Sequence, residues 1–124
     1  MTKYADIIAI TAPDKATPGD KVNVVVKVKN IDPVYSHVVR CIAAFYIGSD
    51  SFPFLDEVQI ISPGETNDFS GSFTMPDVAT KVQAFSYYPV GTEWIYDDTL
   101  EKSIGLAELT PVFSEFSIKD YRVI

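Results

Sequence analysis

Apolar and polar residues alternate with a period of two over most of the chain, most clearly in segment 21–30. Every even position from 22 to 28 is valine, whereas the odd positions hold lysine and asparagine, with Val25 as the one exception. Successive side chains of a strand point to opposite faces, so this pattern predicts a half-buried β-strand. Valine is branched at Cβ and fits a pleated surface, which argues against a helix here.

The same alternation, interrupted by Gly, Pro, Asn and Asp, predicts six further strands. Segments 4–11 and 37–47 are the first and third strands, and the third is apolar enough on both faces to lie centrally in its sheet. The remaining strands are predicted at 57–61, 69–75, 81–88 and 101–106, with 93–96 as an extension of the sixth strand's hairpin. Residues 52–55 are predicted to form a loop, and 98–109 permits a helical turn.

Short strands separated by turn signals roughly every 8–12 residues are typical of an antiparallel β-sandwich. We therefore expect an all-β domain of about seven strands over residues 1–110. Residues 111–124 alternate again and predict an extra C-terminal strand. Three placements remain open for it: an edge of its own sheet, which we prefer, the first strand of a following module, or an edge of a neighbouring molecule.

Composition narrows the possible partners. The chain has 124 residues and a formal net charge of −7, which argues against sequence-independent nucleic-acid binding and against docking on anionic lipid. No apolar run approaches the about 20 residues of a membrane span. Met1 is followed at once by polar and charged residues, so no signal peptide is visible.

The supply of reactive side chains argues against an enzyme. His37 is the only histidine, which excludes a multi-histidine metal site. Cys41, the only cysteine, lies four residues from His37 on the same predicted strand, a separation of roughly 13 Å that is too long for a nucleophile–base pair. We expect Cys41 to be a small buried apolar residue and His37 a solvated one. No catalytic motif and no cofactor site is predicted.

Carboxylates crowd two predicted loops. If these loops met at one end of the sandwich, their oxygens would suit Ca²⁺, although most acidic loops are simply solvated. The weak calcium candidates are Asp97, Asp98 and Glu101, near Glu93, and the second group is Asp50, Asp56 and Glu57. Paired carboxylates also suit glycoside hydrolysis, which we retain only as a third hypothesis.

Aromatic residues in predicted loops are the candidate binding residues, because Trp and Tyr are enriched where interfaces form. The candidates are Phe52, Phe54, Tyr88, Trp94 and Tyr96. The alternative is structural: Trp94 and Tyr96 pack over one end of the sandwich, while Phe52 and Phe54 plug the other rim. Tyr88, Trp94 and Tyr96 would also serve as a stacking surface for sugar rings.

Several segments resemble prokaryotic immunoglobulin-like modules of the CARDB type. They are ADII at 5–8, ATPGDKVNVVVKVKN at 16–30, ISPGET at 61–66 and FSGSFTMP at 69–76. The acidic stretch that this family carries before its last strand is partly matched by DDTLE at 97–101. The resemblance covers residues 5–107 and implies an immunoglobulin-like sandwich. Such modules occur in surface, adhesive and viral structural proteins and beside enzymes.

These observations together predict a non-enzymatic structural or protein-interaction module of an extracellular, cell-surface or virion assembly. The expected partner is another protein or a second copy, contacted through an edge strand or the C-terminal strand. The alternative is a carbohydrate-binding or enzyme-accessory module that uses the loop aromatics.

Overall fold

The fold is seen in a computed structural model, which describes residues 2–107. These residues form strands and no helix. The strands are β1 Ala5–Thr11, β2 Lys15–Ala16, β3 Lys21–Asn30, β4 His37–Ile47, β5 Asp50–Ile61, β6 Thr66–Thr74, β7 Thr80–Val90 and β8 Glu93–Leu106.

The strands form two sheets. One has three strands in the order β1-β3-β6, and the other has five in the order β2-β8-β7-β4-β5. All pairings are antiparallel except that of the two-residue β2, which runs parallel to the end of β8. β4 lies between β5 and β7, which confirms its predicted central position.

The core follows the alternation of the sequence. The four even-numbered valines of β3 are buried against the apolar face of β4, where Val39, Cys41 and Ala43 have no exposed surface. Burial, with nearby carboxylates, raises the pKa of the Cys41 thiol to about 12. The prediction that Cys41 is a buried structural residue is confirmed.

Two local predictions were wrong, and one short strand was missed. Residues 52–55 belong to β5 instead of a loop, because an irregularity between Ala43 and Ala44 of β4 accommodates Pro53 at the sheet edge. The helical turn permitted at 98–109 is excluded from 98 to 106, because a continuous β8 runs through these residues. The prediction that 93–96 extends the hairpin of the sixth predicted strand is confirmed, since these residues pair with residues 87–90 of β7. The two-residue β2 was not predicted, since it has too few residues to show a period.

On one open side of the sandwich, β5 and β6 approach each other without forming a ladder. The side-chain amide of Gln59 donates to the carbonyl oxygen of Asp68 at 2.8 Å, and that of Asn67 donates to Gln59 Oε1 at 2.9 Å. Gly71 is packed so closely that an added Cβ would lie 3.0 Å from Leu55 Cβ. Side chains and Pro53 therefore shield this edge from strand addition.

On the opposite side, a bulge in β8 joins β1 to the second sheet. The register between β7 and β8 shifts between Ser86 and Tyr87, which leaves Asp97 as an extra residue. The Asp97 carboxylate accepts backbone N–H groups from residues 3, 4 and 5 at 2.6, 2.9 and 2.8 Å. Asp98 accepts the N–H of Ile7 at 2.8 Å. The outward N–H groups of Ala5 and Ile7 in β1 are thus satisfied by side chains.

The predicted C-terminal strand at 111–124, with the domain boundary at residue 110, lies outside the described residues. Within residues 2–107, no helix is long and apolar enough to cross a membrane.

Candidate interaction surface on the five-stranded sheet

The outer face of the five-stranded sheet presents apolar and aromatic side chains to solvent. Cross-strand pairs share a face, and the register pairs Arg40 with Val58 on one side and with Tyr87 on the other. Tyr96 pairs in turn with Tyr87. We call this set the outer-face patch: Val38, Arg40, Ile42, Val58, Ile60, Phe85, Tyr87, Trp94 and Tyr96.

Several members of the outer-face patch are well exposed. The exposed fractions are 68% for Ile60, 53% for Tyr96, 49% for Val58 and 37% for Trp94. Single exposed apolar residues are common on protein surfaces, but a contiguous apolar patch on one sheet face indicates a site of contact with another molecule.

Arg40 is held in a fixed position at the centre of the patch. Its Nε and Nη2 donate to the two carboxylate oxygens of Asp56 at 2.8 and 2.7 Å, which is bidentate geometry. Its guanidinium carbon also lies 5.5 Å from the ring centroid of Trp94. The hydrogen bond from Arg40 lowers the pKa of the Asp56 carboxyl and raises that of the guanidinium. The patch therefore combines aromatic area with one oriented cation.

The aromatic rings of the patch meet at steep angles. Tyr96 lies 6.2 Å from Tyr87 at an interplanar angle of 70° and 6.3 Å from Phe85 at 60°. Edge-to-face packing of this kind favours a rigid surface. These three rings do not form the coplanar platform that stacking on a sugar requires.

The predicted binding residues divide into three groups. Trp94 and Tyr96 lie together on the outer-face patch, on a strand instead of in a loop. Phe54 is half-buried and packs 5.0 Å from Phe73, and Phe52 stacks on Phe45 at 5.2 Å. Phe54 closes the sandwich beside Gly71, whereas Phe52 is 42% exposed.

Tyr88 lies away from Trp94 and Tyr96. It has the parity of the buried positions of β7 and meets the Tyr4 ring edge-on at 5.0 Å. Tyr4 in turn stacks on His37 at 3.9 Å. His37 is not solvated as predicted, because its side chain is largely covered and its Nε2 donates to Asp32 at 2.8 Å.

The weak calcium candidates are not brought together. The acidic residues of β5 and those of β8 lie on different strands separated by β7 and β4, so the two groups do not meet. The carboxylates of Asp97 and Asp98 accept backbone amides, and Glu101 ion-pairs with Lys81 at 3.3 Å. Within residues 2–107, no group of three or more His, Cys, Asp or Glu side chains is placed to hold a metal ion.

Comparison with known proteins gives the fold. No family model matches the chain, and no curated protein matches it. Among solved structures, the CARDB domain of the PF1109 protein from Pyrococcus furiosus, in complex with di-metal ions, superposes with a TM-score of 0.58 at 14% identity, covering 86% of this chain and 91% of that one. The fold is a CARDB-type immunoglobulin-like β-sandwich.

Two other solved structures share this fold. The sporulation control protein Spo0M from Bacillus subtilis matches with a TM-score of 0.52 at 15% identity over 96% of this chain, which spans only 56% of that protein. A chain of the complex between Zinc 2-glycoprotein and prolactin-inducible protein from human seminal plasma matches with a TM-score of 0.54 at 14% identity, covering 82% of this chain and 97% of that one.

Within this CARDB-type sandwich, the sequence-based prediction missed Arg40 and Tyr87, and it considered Asp56 only as a carboxylate of a calcium loop and not as the partner of Arg40. Arg40 and Tyr87 lie on the outer parity of β4 and β7, so the alternation placed them on a solvent face. What it did not provide was the register that pairs them with each other and with Val58. A search for cross-strand aromatic and arginine pairs, given the strand order, would have found them.

Proposed function

We propose that the chain is a non-enzymatic protein-interaction module of an extracellular, cell-surface or virion assembly, and that the outer-face patch is its contact surface. The main support is the position of Arg40, which is held by hydrogen bonds to Asp56 and lies against the Trp94 ring. Exposed apolar and aromatic side chains belong to the same patch: Tyr96, Val58 and Ile60. Arg, Trp and Tyr dominate the energetics of protein interfaces. Because Asp56 already holds the Arg40 side chain in place, less side-chain entropy is lost when a partner binds.

The fold matches add support. One matched chain comes from a complex of two proteins of human seminal plasma, so a protein with this fold is a member of a protein–protein complex. The cavities support a surface function as well. Two cavities among the described residues, with volumes of about 330 and 400 Å³, are open clefts and not enclosed pockets.

Photo-crosslinking tests the proposal. A benzophenone amino acid at position 96 should yield an adduct with a partner protein in the assembly that contains the chain. The same probe at position 23, which is exposed on β3 of the other sheet, is the matched control. Val58→Asp should abolish the adduct at position 96, because a carboxylate in the patch is costly to desolvate. Equal labelling from both positions, or no adduct at 96, would contradict the proposal.

Light scattering over a concentration series separates two routes of self-association. If copies associate through the patch, the full chain should assemble and Tyr96→Ala should be monomeric. If they associate through the C-terminal segment, a chain ending at Leu109 should be a folded monomer while Tyr96→Ala still assembles. Monomers in every case would leave a different protein as the partner and exclude a second copy.

A carbohydrate-binding or enzyme-accessory role is the second candidate. It is favoured by a match to 15% of the β-glucosidase EmGH1 from Erythrobacter marinus, with a TM-score of 0.52 at 16% identity over 83% of this chain. The separation of Tyr88 from Trp94 and Tyr96 weighs against the predicted three-ring surface. A glycan array probed with the full chain and with Trp94→Ala tests this role. Sugar binding that is lost in the variant supports it, and no sugar binding by the full chain excludes it.

A further inference from the structure

A cleft opens where the ladder between β4 and β7 stops. The last pair is Arg40 with Tyr87, although β4 begins three residues earlier and β7 continues three residues further. The cleft between the two strand ends has a volume of about 400 Å³ and is lined by Lys3, Tyr4, His37, Val38, Tyr88 and Val90, among others.

Pro89 explains why the ladder stops. Gly91, with φ of 61°, and Thr92 form a two-residue hairpin loop, so Val90 and Glu93 are the hydrogen-bonded pair that closes it. Backbone groups alternate in direction along a strand, and those of Pro89 therefore point away from β8 toward β4. Proline has no N–H, so it offers β4 no donor at this position.

The same alternation leaves the backbone of Val38 facing the cleft. Tyr87 has the parity of Pro89 and pairs with Arg40, so the N–H and C=O of Arg40 point toward β7. Val38 lies two residues earlier and points the same way, opposite Pro89. The Val38 carbonyl therefore meets no N–H from β7, since Pro89 has none, and it is an acceptor without a β7 donor inside a concave site.

The floor of the cleft is aromatic and fixed. Tyr4 stacks on His37 with centroids 3.9 Å apart, and Tyr88 meets Tyr4 edge-on. The Asp32 carboxylate orients His37 and also accepts the N–H of Val34 at 2.9 Å. The backbone of residues 3 and 4 is anchored by the Asp97 carboxylate. Binding here would order few additional groups.

Lys3 provides one cation at the rim. Its ammonium lies 5.4 Å from the Tyr4 centroid and 5.7 Å from the Tyr88 centroid. Within residues 2–107, the ion pairs involve other cations, so Lys3 has no carboxylate partner there. The nearby carboxylates of Asp32 and Asp97 are engaged with backbone amides.

We propose that this cleft binds an extended peptide segment of a partner protein, which donates a backbone N–H to the Val38 carbonyl and whose acidic side chain ion-pairs with Lys3. An apolar side chain of the segment packs against Tyr88 and Val90. The backbone hydrogen bond orients the segment, and the lysine selects for a carboxylate. The site shares only Val38 with the outer-face patch, using its backbone and not its side chain, and does not rest on the proposed function.

Amide NMR of the full chain tests the proposal with a blocked peptide, acetyl-VEVEV-amide, as the probe. Chemical-shift changes should concentrate at residues 36–39 and 88–90, including the Val39 amide, whose peptide group contains the Val38 carbonyl. The matched peptide acetyl-VQVQV-amide should bind at least about fivefold more weakly, because it lacks the ion pair. Changes located elsewhere, or none at millimolar peptide, would overturn the proposal.

Four variants separate the ion pair of Lys3 from the backbone contact at Val38, and two of them are controls. Lys3→Ala should reduce the affinity for the acidic peptide to that for the glutamine peptide, whereas Lys21→Ala, at an exposed lysine of β3, should leave it unchanged. Pro89→Val supplies an N–H facing β4, so it should close the ladder and abolish binding in a folded protein. Val58→Asp should have no effect, which keeps this proposal distinguishable from the outer-face patch. Equal affinity of Lys3→Ala and the parent chain for the acidic peptide would contradict the proposed ion pair.

Discussion

The Asp97 carboxylate accepts the backbone N–H of Ala5 at 2.8 Å, across 92 residues of sequence and between the two sheets. Asp97 is only 7% exposed, and its partner is fully buried. The contact converts the open side of the sandwich next to β1 into a closed one. It also fixes residues 3 and 4, which line the cleft proposed as a peptide site.

Asp97→Ala should destabilise the protein by about 3 kcal/mol, because three backbone donors lose a charged acceptor. Urea denaturation gives the free energy of unfolding, and hydrogen exchange should show faster exchange at residues 3–5. Asp77→Ala, at an exposed position, is the control and should change stability by less than about 0.5 kcal/mol. Similar losses in both variants would show that the Asp97 contacts contribute little.

Asp6→Asn should stabilise the protein at neutral pH. Burial and a hydrogen bond with Asp98 raise the pKa of Asp6 above its ordinary value of 3.8. Between pH 3.8 and the pKa of Asp6 in the folded protein, the folded state binds more protons than the unfolded chain. The free energy of unfolding therefore decreases as the pH rises through this range, because Asp6 must ionise in the folded protein. Thermal unfolding should show a higher Tm for the variant at pH 7 and no gain below pH 3. A gain that persists at low pH would contradict the titration of Asp6 as its cause.

Gly71→Ala should destabilise the protein by about 1–3 kcal/mol through overpacking. The new Cβ would lie 3.0 Å from Leu55 Cβ and 3.2 Å from the carbonyl oxygen of Phe54, so β5 must shift. Gly105→Ala is the matched control, because its Cβ would meet Lys15 Cγ at an ordinary 3.7 Å. The denaturant midpoints of the two variants test this prediction. Equal midpoints would mean that β5 shifts without a loss in the free energy of unfolding.

Cys41 should not react with a thiol reagent at pH 8 while the protein is folded. It has no exposed surface, and its pKa is raised to about 12, so both access and thiolate are lacking. The reaction monitored by absorbance should begin only with unfolding in urea. A variant carrying Cys41→Ser and Ser70→Cys, with the new thiol at an exposed position of β6, should react at once. Rapid labelling of folded parent protein would indicate local opening around β4.

Alternation determined the strands and most of the core. The even-numbered valines of β3 and Val39, Cys41 and Ala43 of β4 are buried as their parity predicts, whereas Ile47 at the end of β4 is exposed. A strand between two sheet faces has only two directions for its side chains, so the pattern is sufficient there. It failed at 52–55, where aromatic and proline residues imitate a loop although β5 continues through them.

The tertiary structure alone decided what the polar and aromatic residues do. Asp97 and Asp98 have the composition of a calcium loop, but a one-residue bulge directs their carboxylates to the backbone of β1. Tyr88 and Tyr96 are both aromatic residues of one hairpin, yet the pairing register places them on different faces. Local sequence fixes the parity of a side chain. Register, bulges and the approach of the second sheet are long-range properties, and they select the partner that each side chain meets.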